Sequence, residues 1–390
     1  MGYDFDKVIE RRGTGSLKWG SYGGRDVIPM WVADMDFQAP PVVLEALHRR
    51  VAYGVFGYAK PPEELTEVVV ERLRRLYGWT VDRSWIVWLP GLVPGLHLTC
   101  RACGDIGDEV LTFVPVYPPF LSAPPLCQRK LKQVPLRGKE AGYTLDLEAF
   151  EQAITEHSKL LLFCNPHNPV GRMFGTEEIR ALGELCLAHG ITICSDEIHC
   201  DLILDKKKHV PTATVSKALE ANTITLMSAA KTFNVAGLNC GFAVIAEAGL
   251  RKRFMAARQG IVPWCNPLGY TATLAAYRDG AAWHEALLAY LRENRRTVCE
   301  FIGQVIPQLS ANCPEATYLS WIDTGALAVD DAAGFFEKAG VGLSDGRAFG
   351  EPRHVRLNFG CSRQLLHQAL ERMKQAVDRL GRPGVQGRSL

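Results

Sequence analysis

The chain has 390 residues, 47% of them hydrophobic and 22% charged, with a formal net charge of +2. That length exceeds what one hydrophobic core fills, so two domains are expected. The near-neutral balance argues against a nucleic-acid surface, and the absence of a membrane-length apolar run or signal-peptide core makes a cytoplasmic protein the expectation.

In chain order, residues 28–37 (IPMWVADMDF) are apolar with acidic interruptions and no helical period. They read as an arm leading through Pro40-Pro41 into a helix over 42–53. The aromatic loop 55–60 (VFGYAK) ends at Pro61-Pro62, which opens an amphipathic helix to Tyr77. Tyr58 in this loop is either plainly exposed or used by a site.

From Trp85 the pattern becomes short apolar runs, WIVWL, EVLTFV, KLKQVPL, KLLLFC, ITICSD, TITLMSA and CGFAVIA, with helical stretches at 93–103, 147–154 and 176–189 among them. This is an α/β pattern with a mostly parallel seven-stranded sheet flanked by helices. An amphipathic helix over 283–306, the strands YLSWID and VRLNFG, and helices over 332–339 and 363–380 read as a smaller α+β domain. The expected division is 54–285 for the large domain, with 1–53 and 286–390 as arm and small domain. The tail, GRPGVQGRSL, has little to bury and reads as disordered.

Ligands in such sheets gather at the carboxyl ends of the strands, so the residues after each run matter most. WIVWL is followed by PGLVPG, a glycine turn opening a helix, where the Leu92 and Val93 N–H groups suit a phosphate. Tyr117, after EVLTFV, could stack on a flat ring. KLLLFC runs into NPHNPVG, whose two Asn-Pro steps spend rigidity on placing an amide side chain. Asp196 ends ITICSD and would be costly to bury without a cation such as a protonated ring nitrogen. In TLMSAAKTFNVAG, Lys231 follows a buried strand. A dry pocket there disfavours its charged form and yields the nucleophilic amine that Schiff-base chemistry requires. Ser228, three residues earlier, could bind the same phosphate. Taken singly, each feature has an ordinary reading: a solvated lysine, a helix-capping aspartate, a packed loop tyrosine.

Twelve cysteines are scattered along the chain, and without a secretory signal reduced thiols are expected. Cys100 and Cys103 form a lone CxxC that reads as packed thiols, and no metal site is expected. Lys206, Lys207 and Lys208 read as a solvated turn. Neither HExxH nor GxxxxGK[ST] occurs, which disfavours zincins and P-loop enzymes.

Together, WVADMDF, NPHNPVGR, SDEIHCDL, SAAKTFNVAGL and VRLNFGC resemble, over nearly the whole chain, the fold type I pyridoxal-phosphate enzymes of the class I/II aminotransferase superfamily. The resemblance is to its cystathionine β-lyase-like (PatB/MalY-type) C–S lyases in particular. Asp196 and Lys231 stand 35 positions apart (231 − 196) in the family's order. The resemblance implies that Lys231 carries the cofactor as a Schiff base, Asp196 pairs with the pyridine nitrogen and Asn168 bonds the phenolic oxygen. Tyr117 then stacks on the ring, while Ser228 and the Leu92 and Val93 amides hold the phosphate. Tyr58 is the tyrosine that reaches a neighbouring subunit's cofactor, which implies a homodimer, and Arg356 forks onto an amino-acid substrate's carboxylate. His199 replaces a tyrosine that many aminotransferases place near the phenolic oxygen, and Asn239 replaces a phosphate-binding arginine; both departures fit the lyase subgroup. The implied reaction is α,β-elimination from cystathionine or a related S-substituted cysteine. Transamination, or a regulatory protein-binding role on the same fold, are the alternatives.

Overall fold

Each of the seven apolar runs becomes a strand of one sheet in the computed structural model, which describes residues 2–138 and 142–380. The expected disorder of the tail falls outside the described residues. The chain forms two units, one of Gln38–Ala289 with Glu315–Thr317, the other of Met1–Phe37, Tyr290–Pro314 and Tyr318–Leu390.

The smaller unit begins with the one-turn helix α1 (Leu17–Gly20) and the short strand β1 (Ile28–Pro29). In the larger unit follow α2 (Pro41–Tyr53) and α3 (Glu63–Tyr77). α3 has Glu63 and Glu64 in its first turn, Arg74 and Arg75 in its last, and stops at Gly78 with φ +65°, charges and a left-handed cap that suit the helix dipole and its free carbonyls. α2 buries Val43 and Ala46 and packs against a later helix of the same unit. The helix expected in the arm therefore lies with the large domain, and the first boundary falls after Phe37 instead of Tyr53.

The sheet contains β2 (Ile86–Leu89), β3 (Glu109–Val114), β4 (Lys130–Pro135), β5 (Ser158–Cys164), β6 (Thr192–Asp196), β7 (Thr223–Met227) and β8 (Gly241–Ile245). Their order is β2-β8-β7-β6-β5-β3-β4, with β8 antiparallel to both neighbours and the other pairs parallel. The central strands β5, β6 and β7 are almost wholly buried, which is why they read as unbroken apolar runs. Helices α4 (Leu92–Ala102), α5 (Pro118–Leu126), α6 (Leu147–Ala153), α7 (Thr176–Ala188), α8 (Lys217–Asn222), α9 (Ala248–Arg258) and α10 (Pro267–Asp279) complete the larger unit. α5, α9 and α10 had no counterpart in the sequence reading. In α5, Pro118 and Pro119 occupy the first turn, where a missing N–H costs nothing, and Pro124 and Pro125 the last. Asn266 caps α10 ahead of Pro267, a start signal that was legible.

α11 (Ala281–Val305) crosses the second boundary. In the smaller unit, β9 (Ser310–Ala311), β10 (Leu319–Asp323), β12 (Ser344–Asp345) and β13 (His354–Asn358) form an antiparallel sheet in the order β12-β13-β10-β9. β11 (Val341–Gly342) pairs in parallel with β1, and α12 (Ala332–Lys338) and α13 (Arg363–Leu380) cover this unit. Cys299 and Cys313 are joined in a disulfide, with Cα atoms 5.8 Å apart. The expectation of reduced thiols fails at this pair, because α11 and the turn before β10 bring the two side chains together. The other described cysteines are free and buried, Cys100 and Cys103 included. Among the described residues, no helix is long and apolar enough to cross a membrane and no His/Cys/Asp/Glu group suits a metal ion.

Candidate active site

Strand register decides which segments meet. Cys164 pairs with Asp196 and Asp196 with Leu226, so β5, β6 and β7 end level with one another. Parallel β3 ends at the same edge, and β2 reaches it because Leu89 lies across from Gly241 in antiparallel β8. Tyr117, Asn168, Asp196, Ser228, Lys231 and the start of α4 therefore all emerge at the carboxyl edge of the sheet.

Asp196 is the electrostatic focus. Its carbonyl accepts from Asn165 N (3.1 Å), and Glu197 N donates to Leu226 O (2.9 Å), which locks the strand end to both neighbours. The side chain is 5% exposed and accepts from Ile198 N (3.1 Å). Burial pushes its carboxyl up to about 7, with Glu197 adding to the rise, while the Ile198 N–H and the Lys231 charge pull against it. A buried acid in this state is matched to a cationic partner such as a ring N–H⁺.

Lys231 is partly buried, four residues beyond the end of β7. Ser228 is buried, donates its hydroxyl proton to Cys240 O (2.6 Å) and accepts from Ala230 N (3.0 Å). To donate to a phosphate, that hydroxyl must turn away from Cys240. Close packing surrounds it: a Cβ at Gly241 would lie 2.7 Å from Leu92 Cδ2 and 3.3 Å from Ser228 Cβ. α4 begins at Gly91 (φ +144°) with no side-chain cap, so its first N–H groups are left for an external acceptor. Leu92 is buried and Val93 is at the surface. A Cβ at Gly95 would come within 3.1 Å of both Leu226 methyls, so this helix rests directly on the sheet.

Tyr117 caps α5, and its N–H donates to Asn168 O (3.0 Å), which brings the ring-stacking and amide candidates together. Asn168 is 4% exposed, and its N–H reaches Cys164 Sγ at 3.5 Å. The Val114–Pro115, Asn165–Pro166 and Asn168–Pro169 bonds are cis. His167, passed over within NPHNPVG, sits between Pro115 O (Nε2, 2.7 Å) and Cys164 O (Nδ1, 3.1 Å) and joins the Tyr117 and Asn168 loops. Burial pulls its ring down to about 4 against the pull of both carbonyls, and it braces the two loops against one another.

His199 is buried, and its carbonyl accepts from Leu202 N (2.9 Å). Glu197 is also wholly buried. It accepts from Ser195 Oγ (2.8 Å) and Thr212 N (3.0 Å), and its Oε2 lies 2.7 Å from His209 Nε2. No periodicity points to this network, since His209 comes from a distant loop. Asn239 is exposed and left-handed at φ +50°, a conformation asparagine tolerates, so its backbone accounts for it. Tyr58 is 107% exposed, so within one chain it stands apart from the Lys231 group.

Arg356 belongs to the smaller unit, on β13, and is 4% exposed. Its Nη2 donates to Trp31 O (2.8 Å) and Ser344 Oγ (3.2 Å), and its guanidinium lies 4.7 Å over the Phe349 ring. Asn358 Nδ2 donates to Val32 O and Asp34 O, pinning the WVADMDF segment beside the arginine. That segment is anchored again at Asp36, which pairs with Lys18 (2.8 Å) and Arg11 (2.6 Å). The motif was legible in the sequence; its role as the bed for Arg356 was not.

A buried acid, a nearby amine, an uncapped helix start and a flat aromatic fit pyridoxal phosphate in charge and shape. Known proteins agree. A cystathionine beta-lyase, PatB of Bacillus subtilis (strain 168), is 37% identical over 386 residues, covering 96% of this chain and 100% of that one. The crystal structure of OvoB superposes with a TM-score of 0.94 at 44% identity, over 96% of this chain and 99% of that one. The PLP-bound C-S lyase from Staphylococcus hominis does so at 0.91 and 33% identity, over 97% and 98%. The model of aminotransferase class I and II matches residues 25–373, and the chain belongs to that family.

Proposed function

We propose that the protein is a pyridoxal-phosphate-dependent C–S β-lyase that cleaves cystathionine or a related S-substituted cysteine to a thiol, pyruvate and ammonia. The observation that carries this reading is buried Asp196 beside Lys231 at the carboxyl edge, in a chain similar to C–S lyases along nearly its full length. When bound, pyridoxal phosphate supplies an electron sink for the carbanion formed at the substrate α-carbon.

The chain's own residues do the rest. Asp196 would be the counter-ion to the cofactor's ring nitrogen, Tyr117, Asn168 and His199 would hold the ring, and the Leu92 and Val93 N–H groups with a rotated Ser228 would hold the phosphate. The Lys231 amine, once free, takes the α-proton, and Arg356 grips the substrate carboxylate with its planar donors. Exposed Tyr58 serves the partner subunit of a homodimer, and the enzyme works in the cytoplasm.

The test is cystathionine turnover by the pyridoxal-phosphate-loaded enzyme without a keto acid. Equal release of pyruvate and thiol is expected. Amino transfer that starts only when a keto acid is added would make the protein an aminotransferase.

A further inference from the structure

The larger unit contains a cavity of about 1050 Å³ lined by none of the candidate site residues. It lies where parallel strands begin: the turn 104–106 precedes β3, Gln128 and Arg129 precede β4, Lys159 is near the start of β5 and Thr192 opens β6. The cavity is therefore at the amino edge of the sheet, opposite the edge that carries Asp196 and Lys231. Its wall includes left-handed backbone at Gly104 (φ +73°), Gln128 (φ +60°) and Gly190 (φ +66°). At Gln128 a Cβ disfavours that conformation. It is held by Gln128 N on Pro125 O (2.9 Å) and by Gly107 N on Gln128 O (2.9 Å), which fixes the approach to Arg129.

Four cations line the cavity, Arg101, Arg129, Lys159 and Arg253, against one carboxylate, Asp105. That is a local balance of +3 (4 − 1) in a chain whose net charge is only +2. None of the four is in an ion pair among the described residues, whereas Arg72, Arg172 and Arg372 each hold a carboxylate, at 2.6, 2.8 and 2.9 Å. The nearby Asp108 carboxylate accepts from Asp105 N (2.7 Å). Arg129 is 9% exposed, its Nη groups donate to Cys127 O (2.7 Å) and Gly104 O (2.8 Å), and its buried Nε has no hydrogen-bond partner among the described residues. Lys159 Nζ donates to Glu156 O (2.6 Å). All three acceptors are neutral carbonyls, so these cations are fixed in place without a counter-charge, and a buried charge in that position is costly until an anion joins it. Ile106 (74% exposed), Leu126 (68%) and Ile261 (56%) line the same cavity. Aliphatic side chains left in water beside unpaired cations match a ligand that is anionic at one end and apolar at the other. No aromatic side chain lines the cavity among the described residues, so nothing there would stack on a flat base.

We propose that this cavity is a second ligand site, which binds a small organic diphosphate with an aliphatic body. A diphosphate ester carries about three negative charges at neutral pH and so balances the cluster, where a single carboxylate would leave most of it uncompensated. The guanidinium donors of Arg101 and Arg253 suit phosphate oxygens, Arg129 and Lys159 supply fixed positive charge behind them, and Ile106, Leu126 and Ile261 cover the body.

The experiment is a calorimetric titration of the full-length protein, loaded with pyridoxal phosphate and freed of excess cofactor, with geranyl diphosphate, pyrophosphate or ADP at low salt. One geranyl diphosphate per chain is expected, bound roughly tenfold more tightly than pyrophosphate or ADP. Lys159→Ala/Arg253→Ala should weaken it by roughly tenfold or more. Ile261→Ser should weaken geranyl diphosphate and leave pyrophosphate unchanged. Thermal melts matching wild type show that both variants are folded. Wild-type protein that binds none of the three at millimolar concentration would overturn the site, as would a folded charge variant that binds like wild type. ADP bound more tightly than geranyl diphosphate would overturn the aliphatic body.

Discussion

At the scale of single residues, Asp196 turns burial into chemistry. Its carboxyl stands at about 7 against an ordinary 3.8, so the apoprotein is destabilised as pH rises from about 4 through 7 and the acid is forced to ionise. The full cost is roughly 4 kcal/mol at most. Asp196→Asn apoprotein should therefore melt above wild-type apoprotein at pH 8, with the gap closing toward pH 4. Thermal melts across that range check the sign; a gap that widens in acid would contradict it. The loaded enzyme should respond the opposite way, because the cofactor's ring nitrogen loses its counter-ion, and the variant should release pyridoxal phosphate on dialysis. Lys231→Ala should remove the visible absorbance of the covalently held cofactor and drop turnover by several orders of magnitude, read by spectrum and pyruvate assay. Both residues were legible because a charged side chain at the end of an apolar run is expensive unless it is used. Ser228 was legible only as a type, since its bond to Cys240 is a tertiary fact.

At the scale of elements, the start of α4 depends on Gly241 in β8, two elements that lie far apart in the chain. Gly241→Ala would force Leu92 and Ser228 outward. Overpacking of this kind costs about 1–3 kcal/mol, and cofactor affinity should fall with thermal stability; a titration of apoprotein with pyridoxal phosphate measures it. The Arg72–Asp201 pair ties α3 to the loop after β6 at 2.6 Å, with both side chains mostly buried. Arg72→Ala leaves Asp201 buried without its cation and should cost about 3–5 kcal/mol in denaturant melts. The central strands of the large sheet were legible because strands buried on both faces carry continuous apolar runs. α5 was hidden because it carries Pro124 and Pro125 within the helix, where proline normally disrupts it, alongside Pro118 and Pro119 in the tolerated first turn.

At the scale of the whole molecule, the exposure of Tyr58 makes the oligomer testable. Lys231→Ala and Tyr58→Ala proteins should each be poorly active alone. After denaturation and refolding together they should regain activity, since a mixed dimer has one site with both residues intact. Mixtures that stay at the level of the parents would mean that Tyr58 serves no partner.

The sequence by itself determined the strand series, several of the helices and the family, and it proposed Lys231 and Asp196 as the lysine and acid of the candidate site. Those features are written locally, in apolar period, terminal signals and charges set at strand ends. Only the tertiary structure decided that β8 runs antiparallel, that α2 belongs to the larger unit, and that His167 and Gly241 pack among the candidate site residues. These depend on distant residues being brought within a few ångströms of each other, and no window of sequence contains both partners.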